Sequence, residues 1–435
     1  MSEQDATLEE FVDENDPSDK GISVGELQQL ETSPIEEWKL TKLGEILTLE
    51  YGDNLPSGSR NNGEIPVYGS NGQVDTHSEP TVDLPGIVMG RKGSIGEIEF
   101  SDTPFWPIDT TYYITEEETD QNLRFLYYLL QNIQLERLNA ASAIPGLNRN
   151  DTYGLNSIIP PLEEQRKIAS VLYNVEQAIQ KTEEIIEQTQ QIKTAVVQQA
   201  FTEGVFHHDE YVDTKSGRTP ANWELVKFES MIEDTRYGTN SKSNTDGDGY
   251  PTLRIPNVVE KRVTLEDLKH TPLDDDELER LELEENDILV LRTNGNPDYV
   301  GRCATFSEQD EPFVFASYLI RVRVDESRVR PEYIKEFLNS RRGRSEMAGW
   351  IRSSAGNYNL SVGAMENFQV PIPSLEEQDA IVEKISAAEQ AIETNRQYRD
   401  KLQRLKQGLM QDLLSGEVRT TDVDIPVLDA VAKHG

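Results

Sequence analysis

Pro160-Pro161-Leu162-Glu163-Glu164-Gln165 opens a run that continues to about Val205. Pro371-Ile372-Pro373-Ser374-Leu375-Glu376-Glu377-Gln378 opens a second that continues to about Val418. Their offset is 375 − 162 = 213, and it holds without a gap. Ile168 falls on Ile381, Glu176-Gln177-Ala178-Ile179 on Glu389-Gln390-Ala391-Ile392, Lys193 on Lys406, Gln198 on Gln411 and Val205 on Val418. Identities in one register are self-similarity, not shared composition. The chain reads as a tandem duplication of a domain plus a helix.

Each copy has its own start and stop signals. Prolines precede the run, acidic residues fill the first turn, and Gly204 or Gly416 sits where a C-terminal cap would. Apolar residues recur at alternating spacings of four and three. In copy one they are Ile168, Leu172, Val175, Ile179, Ile186 and Val196, interrupted by Thr182 and Thr189. In copy two they are Ile381, Ile385, Ala388, Ile392, Leu402, Leu405 and Leu409, interrupted by Asn395. This pattern predicts a coiled-coil seam with a charged, Gln-rich outer face. About forty residues at ~1.5 Å rise make each helix roughly 60 Å long. A small domain cannot bury one narrow stripe on so long a helix, so the two copies are expected to pack on each other.

The 435 residues allow two or three domains, and 36% hydrophobic content with four Trp, 12 Phe and 16 Tyr argues for folded cores. No apolar run approaches the ~18–20 residues of a membrane span, and the N-terminus is acidic, so neither a transmembrane helix nor a signal peptide is expected. A single cysteine, Cys303, excludes an intramolecular disulfide, and five His argue against a dedicated zinc site. His207-His208 read as a solvated loop pair. The expectation is a cytoplasmic, metal-free chain. A net charge of −37 would ordinarily argue against nucleic acid. Here the carboxylates are spread along the whole chain and Arg outnumbers Lys, which suggests a halophile. In molar salt the Debye length is only ~3 Å, so net charge then says little about partners.

In chain order, 1–33 is an acidic, mobile segment, with a short helix over Val24–Leu30. Residues 34–157 form the first domain, opening near Trp38. Its β-like runs are Ile65–Tyr68, Gly86–Met89, Ile95–Phe100 and Thr111–Ile114, and a helix follows at Leu123–Leu138. Helix one covers 158–205 and a linker 206–216. The second domain, 217–370, opens near Trp223, with a β-run at Asp287–Leu291 and a helix at Pro331–Ser340. Helix two covers 371–418, and 419–435 is a tail with no legible role. A Tyr-Gly pair recurs in both domains, Tyr51-Gly52 and Tyr237-Gly238. Trp38 to Leu162 spans 162 − 38 = 124 positions and Trp223 to Leu375 spans 375 − 223 = 152, so the domains share a plan and differ in loops.

Catalytic signatures are missing. There is no G-x-x-x-x-G-K-[ST] loop, no strand–G-x-G-x-x-G–helix unit and no nucleophile elbow. Asn296-Pro297-Asp298-Tyr299 resembles the Asn/Asp-Pro-Pro-Tyr motif of amino-methyltransferases but lacks its second proline, and no glycine turn elsewhere would hold a methyl donor. Asp213-Thr214-Lys215 is half a nuclease signature, in a linker. No catalytic, cofactor-binding or metal residue is therefore assigned.

Glycine-rich turns instead carry side chains suited to base edges and phosphates. In the first domain these are Arg60-Asn61, Tyr68, Ser70-Asn71, Arg91-Lys92 within Gly90–Gly96, and Asn148-Arg149. In the second they are Arg236-Tyr237, Asn240, Lys242, Arg254, Asn257, Arg292, Asn294, Arg341-Arg342, Arg352 and Asn357-Tyr358-Asn359. Arg pairs bidentately with guanine and Asn with adenine, while Lys and Ser serve phosphates. For each residue alone, a solvated turn position is the competing reading.

Across about residues 34–418 the chain resembles the specificity (S) subunits of Type I restriction–modification systems. The resemblance rests on the two Pro-x-Leu-Glu-Glu-Gln-type helix starts, on Gly90-Arg91-Lys92-Gly93-Ser94-Ile95-Gly96, and on Ala143-Ile144-Pro145-Gly146-Leu147-Asn148 with Ser354-Ala355-Gly356-Asn357-Tyr358-Asn359-Leu360. The helix-after-sheet segments Leu123–Leu130 and Pro331–Leu338 add to it. It implies an α+β chain, a tandem pseudo-repeat in which two α/β target-recognition domains are separated by two long helices forming an antiparallel coiled coil. Each domain would read one half of a split DNA site, and the helices would set the spacer and dock two methyltransferase (M) subunits. Restriction (R) subunits would join that complex. AdoMet would belong to the M subunits, and ATP with Mg²⁺ to the R subunits, so none is expected here. The competing reading is a coiled-coil scaffold with two protein-binding heads.

Overall fold

The repeated runs are the two longest helices, Leu162–Ala200 and Leu375–Ser415. The computed structural model describes residues 28, 30–133, 135, 146–214, 217–354, 356–421 and 423–433. The expected helix at Val24–Leu30, the mobility of most of 1–33, the end of the Leu123–Leu138 helix, and residues 141–145, Lys215 and Ala355 lie outside them. The chain divides into two units: Met1–Glu184 with Arg396–Gly435, and Ile185–Asn395. Each unit takes part of both long helices.

The first unit contains β1 (Lys39–Lys42), β2 (Glu50–Tyr51), β3 (Ile65–Gly69), β4 (Gly72–His77), β5 (Gly86–Gly90), β6 (Ile98–Ser101), β7 (Trp106–Pro107), β8 (Thr111–Ile114) and β9 (Asn156–Ile159). A four-stranded sheet runs β2-β8-β5-β6 and a three-stranded one β4-β3-β7. Helix α1 (Leu123–Ile133) packs on the first sheet. Strand alternation divides the interior. Ile87 and Met89 enter the main core with α1, while Val88 joins Tyr68, Val82 and Phe105 on the other face. β1 pairs with β9, which leads directly into the first long helix.

The second unit repeats this plan. It contains β10 (Tyr211–Thr214), β11 (Gly217–Pro220), β12 (Glu224–Lys227), β13 (Ile232–Tyr237), β14 (Tyr250–Leu253), β15 (Lys269–Thr271), β16 (Ile288–Leu291), β17 (Thr293–Asn294), β18 (Cys303–Thr305), β19 (Val314–Phe315), β20 (Leu319–Val324), β21 (Arg352–Ser354), β22 (Asn357–Asn359) and β23 (Gln369–Ile372). The sheets β13-β20-β16-β18 and β15-β14-β19 match those of the first unit strand for strand, and helices α2 (Pro331–Asn339) and α3 (Arg341–Ala348) follow. Even the register repeats. Tyr51 opposes Tyr112, which opposes Met89, which opposes Ile98; Tyr237, Ile320, Val290 and Cys303 stand in the same relation. The heads differ in their connections. Ser70-Asn71 alone join β3 to β4, whereas residues 254–268 join β14 to β15, and a helix, Asp275–Leu281, lies between β15 and β16.

Cys303 is wholly buried in this core, and burial pushes its thiol up to about 12. Against an ordinary 9.0, this lowers the thiolate fraction about a thousandfold. Iodoacetamide at pH 8 is expected to leave the native chain unlabelled by mass and to label it fully in denaturant.

The repeated motif turns out to be a fastener. Glu164 and Glu377 (377 − 164 = 213) are buried, and each accepts an indole N–H, from Trp38 at 2.9 Å and Trp223 at 3.0 Å. Glu164 also accepts from two of the Arg419 guanidinium nitrogens, Nε and Nη2, and from the Thr420 N–H; Glu377 accepts from the Val205 and Phe206 N–H groups and pairs with His208 at 2.9 Å. The next residues, Gln165 and Gln378, are buried too. Each side-chain carbonyl accepts the N–H just ahead of the domain helix, from Asn122 and from Arg330. One dipeptide thus joins the domain's opening strand, its helix and the far end of the opposite long helix.

Within each unit the long helices run antiparallel. In the first, Glu164 meets Arg419 and Glu176 meets Lys406 (2.6 Å); in the second, Lys193 meets Glu389 (2.5 Å) and Val205 meets Glu377. The two ion pairs are images of each other under the 213 offset. Half-exposed pairs of this kind add at most about 1 kcal/mol each, so they set register more than stability. The seam residues divide unevenly. Ile168 and Leu172 belong to the first unit's core and Ile381 and Ile385 to the second's, packing into the heads as well as between helices. Ile186, Ile392 and Leu402 are buried, whereas Val175, Ile179, Val196, Leu405 and Leu409 are only half-buried.

Three sequence expectations change. The tail is not idle: Arg419 and Thr420 hold Glu164, the Leu428 N–H donates to Ser170 Oγ (3.1 Å), and Asn122 donates to Val431 O (2.9 Å). The linker 206–216 contains β10, paired with β11. His208 is buried against Glu377 rather than solvated; His207 is the exposed member of the pair.

Candidate nucleic-acid interface

In the first head, β2 ends at Tyr51, a residue that is 48% exposed. Gly52 follows because a Cβ there would lie 2.2 Å from the Ile108 carbonyl oxygen. The Arg91 guanidinium stands 5.0 Å from the centre of the Tyr51 ring and 5.6 Å from that of Tyr112, and donates to Asp109 O at 2.7 Å. Arg149 stands 5.5 Å from the same Tyr51 ring, fixed by its Nε bond to the Tyr153 hydroxyl at 2.7 Å. Leu147 N–H donates to Arg91 O at 2.9 Å, which brings the Gly146–Arg149 segment onto the Arg91 loop. Asn148 caps the short helix Arg149–Tyr153 by accepting from Asn150 N–H. Ser70 adjoins the same loop, since a Cβ on Gly93 would sit 3.2 Å from its Oγ. Lys92 and Asn71 are exposed beside it. Burial pushes the Tyr112 phenol upward and the Tyr51 hydroxyl adds to this, so Tyr112 stays a neutral donor, here to Leu147 O.

The second head repeats the device. Arg292 lies 4.5 Å over Tyr237, Gly238 follows with a phantom Cβ 2.2 Å from Phe315 O, and Leu360 N–H donates to Arg292 O at 2.8 Å. Tyr237 is held by accepting from Val362 N–H at 3.1 Å. Beyond Arg292, β17 pairs with β22 and β22 with β21, a small ribbon that exposes Arg352 and Asn357 and half-exposes Asn294, Tyr358 and Asn359. A groove of about 680 Å³ adjoins Tyr237, lined also by Arg236, Asn240, Glu277 and Arg280. Side chains offering forked cationic donors and amides beside an open aromatic ring suit base edges and phosphates. Among the described residues no group of three or more His, Cys, Asp or Glu could hold a metal, and no helix is long and apolar enough to cross a membrane.

The expected site residues therefore separate. Ser70, Asn71, Arg91, Lys92, Asn148 and Arg149 come together in one head; Arg236, Tyr237, Asn240, Arg292, Asn294, Arg352, Asn357, Tyr358 and Asn359 lie around the device in the other. Arg60 and Asn61 sit toward the far end of β4, holding Leu55 O and Ser78. Arg254 is tied to Asp267, while Lys242 and Arg341 are exposed away from these bonds. Tyr68, Asn257 and Arg342 are corrections. Tyr68 is core; Asn257 closes its own loop onto Arg254, Thr264 and Glu266; Arg342 donates to Phe201 O and Arg218 O. The sequence reading missed Tyr51 as a site residue, although its pairing with Gly52 in both copies was the signal.

A family model of the Type I restriction modification DNA specificity domain matches residues 35–191 and 220–404. The chain is 24% identical over 307 residues to the Type I restriction enzyme MjaVIII specificity subunit of Methanocaldococcus jannaschii, covering 69% of this chain and 71% of that one. It is 27% identical over 263 residues to the Type I restriction enzyme EcoKI specificity subunit of Escherichia coli K12, covering 58% and 54%. In fold it is similar to the crystal structure of a Type I restriction–modification S subunit from M. genitalium, with TM-score 0.57, 13% identity, and 89% and 98% of the two chains covered. A second structure, described as bearing on assembly and conformational transition of the type I R-M system, gives 0.53 at 14% identity, covering 89% and 100%.

Proposed function

The chain belongs to the Type I restriction modification DNA specificity domain family, as a non-catalytic subunit that recognises DNA, and on that premise we propose that it reads a bipartite, asymmetric site with one head per half-site. One observation carries this: the same Arg-over-Tyr device stands in two heads whose surrounding loops differ. A shared mount with divergent loops suits two different short sequences. The long helices, as a coiled coil, would fix the spacer between half-sites and dock two methyltransferase subunits, through which restriction subunits join. AdoMet, ATP and Mg²⁺ then belong to those partners. The dispersed acidic surface fits a cytoplasmic protein of a halophile, in which local clusters such as Arg91-Lys92 provide the grip on DNA that the net charge withholds. The scaffold reading is not favoured, because nothing in it calls for guanidinium–tyrosine pairs at equivalent positions.

Methylated-base mapping of the host genome, with and without this gene, tests the proposal. Methylation is expected to vanish at one split motif, two short half-sites around a fixed gap. A methylome that does not change would sink it.

A further inference from the structure

The second head holds another basic corner that the Arg292–Tyr237 device leaves unused. Arg302 Nε and Arg344 Nη2 both donate to the carbonyl of Asp298 at 3.2 Å, and Arg344 Nη1 donates to Val300 O at 2.5 Å. Arg302 Nη1 reaches Val259 O at 3.0 Å, which brings Lys261, two residues on, to the same corner. Lys261 is exposed and has a left-handed backbone, φ 64°, unusual for a lysine. Although the residue as a whole is exposed, its ammonium is partly desolvated, which lowers it below the ordinary lysine range, and Arg302, Lys193 and Arg344 add same-sign repulsion. Lys193 has Glu389 as a counter-charge and Asp298 offsets part of the field at Arg344, but among the described residues no hydrogen bond or ion pair reaches Lys261 Nζ. In a chain of net charge −37, crowded cations are the exception, and an anion would relieve their repulsion.

We propose that Lys261, Arg302 and Arg344 seat a phosphate of the DNA backbone beside the half-site that the second head reads. The inference rests on the DNA-reading function above. The duplex is favoured over a free anion because of where the corner lies. Residues 292–302 are one connection between β16 and β18, bearing Arg292 and Asn294 at its start and Arg302 at its end. Leu291 N–H donates to Arg302 O at 2.8 Å, so the phosphate seat and the base-facing arginine flank one strand end. Phosphate contacts set register while base contacts specify, and the two belong side by side.

The test uses the complex with its methyltransferase subunits and a duplex carrying the mapped motif, with affinity measured across salt concentration. Lys261→Gln is expected to flatten the plot of log K against log salt by about 0.9, with half-site preferences unchanged, and Lys261→Arg to restore the slope. An unchanged slope overturns the seat. So does an altered base preference, which would make Lys261 a base reader. Inorganic phosphate supplies the second arm. If it raises the melting temperature of wild type but not of Lys261→Gln while the DNA slope stays constant, the corner binds free anions and the DNA assignment fails. A wild-type complex with no motif preference would sink the underlying reading as well, so an unchanged slope or an altered preference in the variant counts against the seat alone when wild-type specificity is intact.

Discussion

Glu164→Ala is expected to destabilise the first unit by ~3–5 kcal/mol, the range for removing one partner from a buried ionic network. The carboxylate is buried, with its side chain 4% exposed, and accepts from the Trp38 indole, two Arg419 nitrogens and the Thr420 N–H. Alanine leaves those donors without their acceptor, and an orphaned buried donor costs about 1–3 kcal/mol. The damage should spread along the tail, because Arg419 and Thr420 anchor the segment that continues to Leu428 and Val431. Hydrogen exchange resolved by peptide is the suitable measurement, since a chain of two units need not unfold in one step. The 419–433 segment and β1 should lose protection first. Protection equal to wild type in both would refute the fastener.

The same group predicts the acid limb. Burial by itself would raise the Glu164 carboxyl, but bonds from Arg419, Trp38 and Thr420 outweigh it and hold it below the usual carboxylate range. A depressed folded value means that its stabilisation is present above the unfolded value of about 4.3 and is lost as pH falls through the folded one. Protection of 419–433 should therefore hold from neutrality to about pH 4.5 and decline below it. In Glu164→Ala that decline should be blunted.

Why so much was legible, and where legibility stopped, follows from the range of each signal. The Leu-Glu-Glu-Gln runs could be recognised because identities at one offset need no structure to be seen. Their role could not be read, since Trp38, Arg419 and Thr420 reach Glu164 from 126, 255 and 256 residues away. Burial caused the other errors. Tyr68, Asn257 and Arg342 belong to the residue types that contact DNA, yet each is enclosed by partners that local composition does not reveal. His208 looked like half of a solvated pair until Glu377 supplied its partner. Tyr51 was passed over for the converse reason: a tyrosine at a strand end is ordinary until the cation above it, forty residues on in sequence, is seen.

Arg292→Ala is expected to lose about 1–3 kcal/mol of discrimination at one base pair, roughly ten- to hundredfold, in the half-site read by the second head, and to leave the other half-site untouched. Part of any loss is local, because the guanidinium also covers the Tyr237 ring and donates to Ser317 O at 3.3 Å. Arg292→Lys separates the contributions. Lysine keeps the charge, and hence the salt dependence, but has no fork with which to grip two acceptors on one base. It should therefore relax the sequence preference nearly as far as alanine while preserving the slope against salt. Arg91→Ala is the mirror experiment, with its loss confined to the first head's half-site. Mapping methylated bases for all three variants reads both halves at once. Relaxation of both halves by a single substitution would mean that the heads do not read separately, whatever their shared ground plan. Relaxation confined to one half per variant would make the Arg-over-Tyr mount the common frame on which two unrelated specificities are built.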